Sequence, residues 1–412
     1  MPTSTPAFLR ACAILLSVAT AMTGCGGTRP DAPAPAAAGT PAARPATDRI
    51  RFATFNTSLF SDDAGGLVAR LRGDDAAARK IAATIQHVRP DVLLLNEFDH
   101  DDAGEAAALF VGRYLGEGQH GQPAIAYPYV YSAPVNTGVP SGLDLDRDGT
   151  TAGAGRARGN DAWGYGMHPG QYGMLVLSRF PIDADAVRSF RQLRWSTMPG
   201  ALAPLDPATM TPHYPADVWA QLRLSSKSHW DLPIDTPIGR IHLLAAHPTP
   251  PSNAGGVEKR NVLRNHDEIR LWADYLDDAP SDAAWLCDDA GRCGGLADAE
   301  RFVIAGDYNA DPRDGRSLPG AIAQLLEHPR VQRLAPPRSA GAAAAATAAT
   351  DAFAAHDTAQ FGRENLRVDY VLPSLGLPVR DSGVFWPRAG EPGADWLDAT
   401  DHHLVWIDLA VE

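Results

Sequence analysis

"FVIAGDYNADPRDG", residues 302–315, runs from an apolar strand directly into acid, amide and turn. Phe302, Val303 and Ile304 have the β-branched and aromatic character of a buried strand, and Asp307 and Asn309 follow at once. If extended geometry persists, the alternation Asp307-Tyr308-Asn309 points both polar side chains the same way. A carboxylate beside an amide can orient a water, hold a phosphate or cap a helix, and Asp and Asn are also ordinary turn residues. The rest of the chain has to decide between these.

Working outward, strand and helix patterns alternate from Ile50 onwards. "IRFATFN" (50–56) predicts a strand, and "AARKIAATIQHV" (77–88) an amphipathic helix with Ile81, Ile85 and Val88 on one face. Pro90 stops that helix and "DVLLLNEF" (91–98) follows as a buried strand. "QYGMLVLSRFPI" (171–182), "DVWAQLRLS" (217–225) and "GRIHLLAAH" (239–247) predict further strands. "NHDEIRLWADYLDD" (265–278) places Ile269, Trp272 and Leu276 at helical spacing. A short helix around "AIAQLLEH" (321–328) and strands "RVDYVLP" (367–373) and "HLVWIDLAV" (403–411) complete the pattern. No repeat or linker divides residues 50–412. The irregular stretch 127–169 and the Ala-rich "SAGAAAAATAAT" (339–350) are expected to be surface insertions.

The first residues belong to a different class. "ACAILLSVATAMTGCGG" (11–27) is too short for a comfortable bilayer span and has the layout of a secretory signal over residues 1–25. Its "MTGC" ending resembles the bacterial lipoprotein cleavage box, which would make Cys25 the lipidated first residue; with Met22 leading the box, plain secretion is the alternative. Residues 26–48 form a Pro/Ala/Gly tether able to reach roughly 70 Å when extended. An exported chain held at the cell envelope, or secreted, is the expectation. Cys287 and Cys293 in "LCDDAGRCGG" suit one local disulfide in an oxidising compartment; a zinc pair is the rival, without a second Cys pair or nearby His. The formal net charge of -13, from 36 basic and 49 acidic residues, disfavours tight non-specific binding to a polyanion. Lysine occurs only at positions 80, 227 and 259, a bias given no functional weight.

Polar residues recur where strands end or begin: Asn56, Glu97, His247, Asp307 with Asn309, Asp369, and Asp401 with His402. Sheet ends gather side chains that are distant in sequence, so these predict one site at a sheet edge. The ordered set "TFN", "NE", "GDYN", "VDYV" and "DHHLV" resembles the endonuclease/exonuclease/phosphatase superfamily typified by DNase I, over about residues 50–412. The resemblance implies an α/β fold, a four-layer α/β sandwich of two packed mixed β-sheets flanked by helices. It implies phosphoester hydrolysis with a divalent cation, Mg2+ or Mn2+. Carried over by motif, Glu97 would be the central metal ligand, assisted by Asn56 and Asp401. Asp307 would orient or deprotonate the attacking water and Asn309 would hold a phosphate oxygen. His402 would contact the scissile phosphate, oriented by Asp369, and His247 would help protonate the leaving oxygen. His403 is expected to be structural, and Arg179 either approaches phosphate or packs in a surface pair.

"LDLDRDG" (143–149) stands apart. Asp144, Asp146 and Asp148 with Gly149 reproduce the opening of a calcium loop, but the twelfth position is Gly155 instead of a bidentate Glu. Structural Ca2+, with Asp161 completing the shell, and a solvated turn both fit. "HPGQYGM" (168–174) would line the cleft through His168, Gln171 and Tyr172. The expected substrate is a phosphoester in nucleic acid, phospholipid or a small organic phosphate. Net acidity and the absence of an aromatic-basic stripe argue against a processive nucleic-acid enzyme. No protein partner is implied. The alternative is a catalytically silent envelope scaffold of the same fold.

Overall fold

The computed structural model describes residues 48–151, 153–251, 259–277, 283–346 and 353–411. The expected signal, Cys25 and all but the last residue of the tether lie outside them. The described residues fall within one unit, Ala46–Glu412. Its strands in chain order are β1 (Arg49–Leu59), β2 (Val92–Phe98), β3 (Tyr129–Tyr131), β4 (Met174–Ser178), β5 (Arg188–Ser189), β6 (His229–Thr236) and β7 (Gly239–Ala246). Then come β8 (Phe302–Asp307), β9 (Ala359–Phe361), β10 (Glu364–Leu366), β11 (Asp369–Pro373), β12 (Val379–Val384) and β13 (Val405–Ala410). One mixed sheet has the order β12-β13-β1-β2-β4-β3, the other β11-β8-β7-β6-β5, and β9 with β10 forms a separate hairpin. β1 runs parallel to β2, and β7 parallel to β8; the remaining pairs are antiparallel.

Strand parity sorts the core into three apolar layers. Phe52, Leu94 and Val176 of the first sheet meet Leu232, Leu243, Val303 and Val371 of the second. The alternate residues Ala53, Phe55, Leu93 and Leu95 face the helix Ala76–Val88 and its neighbours. Leu244, Phe302, Ile304 and Tyr370 pack on the helix Arg260–Leu276 through Ile269, Trp272 and Tyr275. Helix, sheet, sheet, helix is the resulting stack, a mixed α/β fold in which both faces of both sheets are buried. That is why the strands carry near-continuous apolar runs.

Several local expectations are overturned. "DVWAQLRLS" is no strand: Ala216–Trp219 is helical after Pro215, and only Arg223 bridges to Arg194. Trp219 packs against Trp195 with ring centroids 5.0 Å apart, which fixes the segment by tertiary contact. β6 lacked a strand signal because Pro233 interrupts it. Its neighbour β5 pairs only with Trp230 and Asp231, so Pro233 removes no ladder bond there. The stretch 127–169 is woven into the protein: β3 extends the first sheet, and Asn136 is fully buried. Within the Ala-rich stretch, Ala340–Ala345 forms a helix capped by Ser339, with Gly341 packed so closely on Trp386 that an added Cβ would lie 2.3 Å from its carbonyl oxygen. Residues 347–352 lie outside the described set.

His229, at the start of β6, is locked between the Ser225 hydroxyl and the backbone carbonyl of Glu268, 2.9 Å from its Nε2, with Trp272 against its ring. Burial pushes its imidazole down to about 4, against the pull of Glu268. Unfolded, it takes up a proton near 6.5, so its contribution is complete above pH 6.5 and is lost as pH falls through 4. That contribution is about 3 kcal/mol. Denaturant melts of wild type and His229→Gln between pH 7 and 4 should show a shallower acid loss in the variant. Equal slopes would refute the assignment.

Candidate functional site

Chain direction brings the predicted residues to one edge. β1, β2, β7 and β8 end there, while the antiparallel β11 and β13 begin there. Parity then selects a face. Asn56 continues the inward set of Phe52, Asn96 that of Leu94, His247 that of Leu243, Asp307 that of Val303, and Asp369 precedes Val371. All five therefore open into the seam between the sheets. Glu97 breaks the rule. By alternation it belongs with Leu93 and Leu95 on the helix side, but its φ of 55° is left-handed and turns the strand. Gly306 has the opposite constraint: an added Cβ would lie 2.0 Å from the Ala246 carbonyl oxygen, so only glycine lets β7 and β8 close beneath the site.

Asp307 is the hub. Its Oδ2 accepts from Asn56 Nδ2 at 3.1 Å and lies 3.5 Å from His247 Nε2 and 3.7 Å from His402 Nε2. Its Oδ1 accepts from the Asn309 amide at 2.9 Å, and its own amide donates to Asn96 Oδ1 at 3.1 Å. Burial raises this carboxyl to about 7, with Asp369 adding to the rise and His402 opposing it. His402 donates from Nδ1 to Asp369 Oδ2 at 2.9 Å. Burial resists its charge, but Asp369, Asp307 and Asp401 together outweigh burial and lift it to about 10. Thr358 fixes Asp369 in turn, donating from Oγ1 at 2.8 Å while receiving the Val368 and Asp369 amides. Burial, then Lys227 and His402, hold His247 well below the ordinary imidazole range, and its Nδ1 has no partner among the described residues.

Asn309 departs from its expected geometry. Its φ of 52° ends the extended run, so Asp307 and Asn309 form a side-chain-to-backbone turn instead of two parallel side chains, and Asn309 Nδ2 donates to the Pro248 carbonyl at 3.1 Å. Asp401 stays half exposed at the mouth, 3.9 Å from His402 Nε2. Burial pushes the half-buried Glu97 carboxyl above its ordinary range; Asp401 adds repulsion, while His402, Lys227 and Asn56 act against it.

Three contributors stand outside the candidate residues, although the "NE" motif contains Asn96. Asn96 stitches the sheets, with Thr54 Oγ1 donating to its Oδ1 at 3.3 Å and its Nδ2 reaching the Ala246 carbonyl at 3.5 Å. Thr358 had no signal beyond its place in an ordinary "DTAQF". Lys227, set aside as compositional, is buried in this cluster; its rarity in the chain was the available clue.

Other expected members lie elsewhere. Arg179 pairs with Asp91 at 3.2 Å beside the start of β2, the far end of the sheet from Glu97. His168 and Gln171 brace the Ser61 carbonyl, whereas Tyr172 packs at a tilt against Phe60, ring centroids 4.5 Å apart, and feels the charge of Glu97. His403 stacks on Trp386 at 3.7 Å. Cys287 and Cys293 form a disulfide. Asp144, Asp146 and Asp161 bring ligand atoms within 4.8 Å of one another. Asp148 stands outside this group, its carboxylate engaged by the Thr150 amide at 2.9 Å.

Asp307, Asp369 and His402 also offer ligand atoms within 4.8 Å, but His402 and Asp369 are tied to each other and Asp307 to Asn56 and the Asn309 amide. Glu97, Asn56 and Asp401 could also hold a cation. Glu97 and Asp401 supply hard oxygens at the open side, where a cation would relieve their mutual repulsion, whereas Asn56 is buried with its Oδ1 accepting the Ser58 amide at 3.3 Å.

A family model described as the Endonuclease/Exonuclease/phosphatase family matches residues 53–402. No curated protein matches the chain. Among solved structures, it is similar to an endonuclease/exonuclease/phosphatase from Beutenbergia cavernae DSM 12333, with 19% identity and a TM-score of 0.48 over 89% of this chain and 72% of that one. It is similar to sphingomyelinase C from Streptomyces griseocarneus, with 19% identity and a TM-score of 0.41 over 88% and 99%. A beta toxin mutant from Staphylococcus aureus with bound magnesium ions gives 12% identity and a TM-score of 0.41 over 89% and 100%. The match over residues 53–402 includes Asn56, Glu97, His247, Asp307, Asp369 and His402, and the chain belongs to the endonuclease/exonuclease/phosphatase family.

Proposed function

We propose that this protein is an exported, metal-dependent phosphoesterase that hydrolyses phosphodiester or phosphomonoester bonds by water attack. The observation that carries this reading is the single carboxylate oxygen of Asp307 set among Asn56, His247 and His402. A water at the mouth would meet Asp307 as the group that orients it and takes its proton. Asn56, Glu97 and Asp401 would hold Mg2+ or Mn2+, which when bound supplies charge neutralisation at the phosphoryl oxygens. His402, carried by Asp369, would face the scissile phosphate and hand a proton to the leaving oxygen, with the neutral His247 as its hydrogen-bonding companion. Asn309 serves by fixing Asp307 and the Pro248 loop. Structural Ca2+ at Asp144, Asp146 and Asp161 is a separate proposal with the same oxygen chemistry.

Hydrolysis of bis-p-nitrophenyl phosphate should require added magnesium, cease with EDTA and fall to background in Glu97→Ala. Equal rates in all these conditions would remove the mechanism, and no turnover of any phosphoester would favour a silent scaffold. Replacing His402 by Ala should lower kcat about a hundredfold or more. Asp369→Asn acts through His402 and should lower kcat with KM unchanged; near-full turnover would mean Asp369 does not position His402. For export, radiolabelled palmitate should mark the wild-type protein in cells and spare Cys25→Ser; label on the variant would contradict the anchor.

A further inference from the structure

Lys227 is a buried cation to which the reaction above gives no task. It lies two residues before β6, and His229 of β6 pairs with Ala246, the last residue of β7. Lys227 therefore sits at the sheet end that carries His247 and Asp307. It is 6% exposed. Its ammonium makes no hydrogen bond or ion pair among the described residues, yet Glu268, Glu97 and Asp307 all feel its charge. The chain around it is clamped. Ser226 donates its amide to Glu268 Oε1 at 2.6 Å, and the Lys227 carbonyl accepts from the Asn136 amide at 3.0 Å. Glu268 is already occupied, because its Oε2 accepts from the Thr249 amide at 2.6 Å.

The residue is buried but its Nζ reaches solvent, so water meets its three donors at the seam until an anion displaces it. The clamps on both sides of Lys227 hold its backbone in place there. A partner that replaces this water must be anionic, small and rich in oxygen acceptors, and it must reach a seam that opens beside Glu97 and Asp307. A phosphoryl group has those properties, and lysine binds it as a point charge. We infer that Lys227 binds a non-bridging oxygen of the substrate phosphoryl group, making it a substrate-binding residue opposite His402. This inference rests on the phosphoester reading for its substrate and deepens it by naming the group that holds the anion.

Orthophosphate titrated into the magnesium-loaded protein by calorimetry supplies the test without requiring turnover. Lys227→Met should weaken binding about tenfold or more, the usual scale for a hydrogen bond to a charged group, and Lys227→Arg should recover part of it. In hydrolysis of bis-p-nitrophenyl phosphate, the Met variant should raise KM more than it lowers kcat. The chain has lysine only at 80, 227 and 259, so wild-type protein isotopically labelled on lysine gives few side-chain NMR signals. Orthophosphate should shift that of Lys227 and spare the others, which keeps the test valid if the Met variant fails to fold. Equal orthophosphate affinity in wild type and Met variant, or an unmoved Lys227 signal, overturns the inference whether or not the enzyme turns over. Binding through Lys227 with no phosphoester hydrolysed would sustain it and sink the hydrolase instead.

Discussion

A carboxylate buried between two sheets is the constraint around which the rest of this molecule is arranged. Asp307 cannot sit at the end of β8 unless its oxygens are met, because an isolated buried carboxylate is strongly disfavoured. The chain meets them with Asn56, the Asn309 amide and two facing imidazoles. Each partner comes from a different strand end, so satisfying one side chain forces β1, β7, β8 and the approach to β13 into a common register. The approach to β13 is fixed separately: Thr400 donates its hydroxyl to the Asn56 carbonyl at 3.1 Å and accepts the His402 amide at 3.3 Å.

The seam that receives Asp307 is defined by parity before any polar group is considered. Inward positions are apolar along the strand and turn polar only at the end, so the same alternation that builds the core delivers the site. Glu97 and Asn309 are the exceptions, and both have left-handed backbone. Non-glycine residues in that region are uncommon, and Asn tolerates it better than Glu. For Glu97 the distortion turns a side chain out of the helix-facing layer. Its cost falls on a strand whose remaining residues are deeply buried, which is where such strain can be held.

Legibility followed the same division. Strand ends with Asn56, Glu97, His247, Asp307, Asp369 and His402 were visible because each follows or precedes a long apolar run. β6 was hidden by Pro233, and the short edge pairs β3 and β5 have too few residues to display a period. "DVWAQLRLS" alternates like a strand, but Ala216–Trp219 is helical after Pro215, with Trp219 packed on Trp195. Among site residues, Thr358 was invisible for a physical reason: it bonds to backbone and to another site side chain, a task any loop could supply. Asn96 lies in the "NE" motif, but nothing beside Glu97 marks it as the residue that joins the sheets. Lys227 stands out by its rarity, but a net charge summed over the whole chain hides a single buried cation.

The contrast between whole-chain and local charge turns on distance. A net charge of -13 would repel an anionic substrate if every charge acted equally, but at physiological salt the screening length is about 8 Å. Charges on the far surfaces of a four-layer protein are largely lost over such a path. Those inside the seam are not, because low-dielectric walls leave them unscreened. There, Lys227 and His402 stand against Asp307, Asp369 and Glu97, and burial weakens the acidic side by raising Asp307 and Glu97. On the proposed reading, a cation held by Glu97 and Asp401 would tilt the seam further toward an anion, so the local count of charges governs what enters instead of the global one.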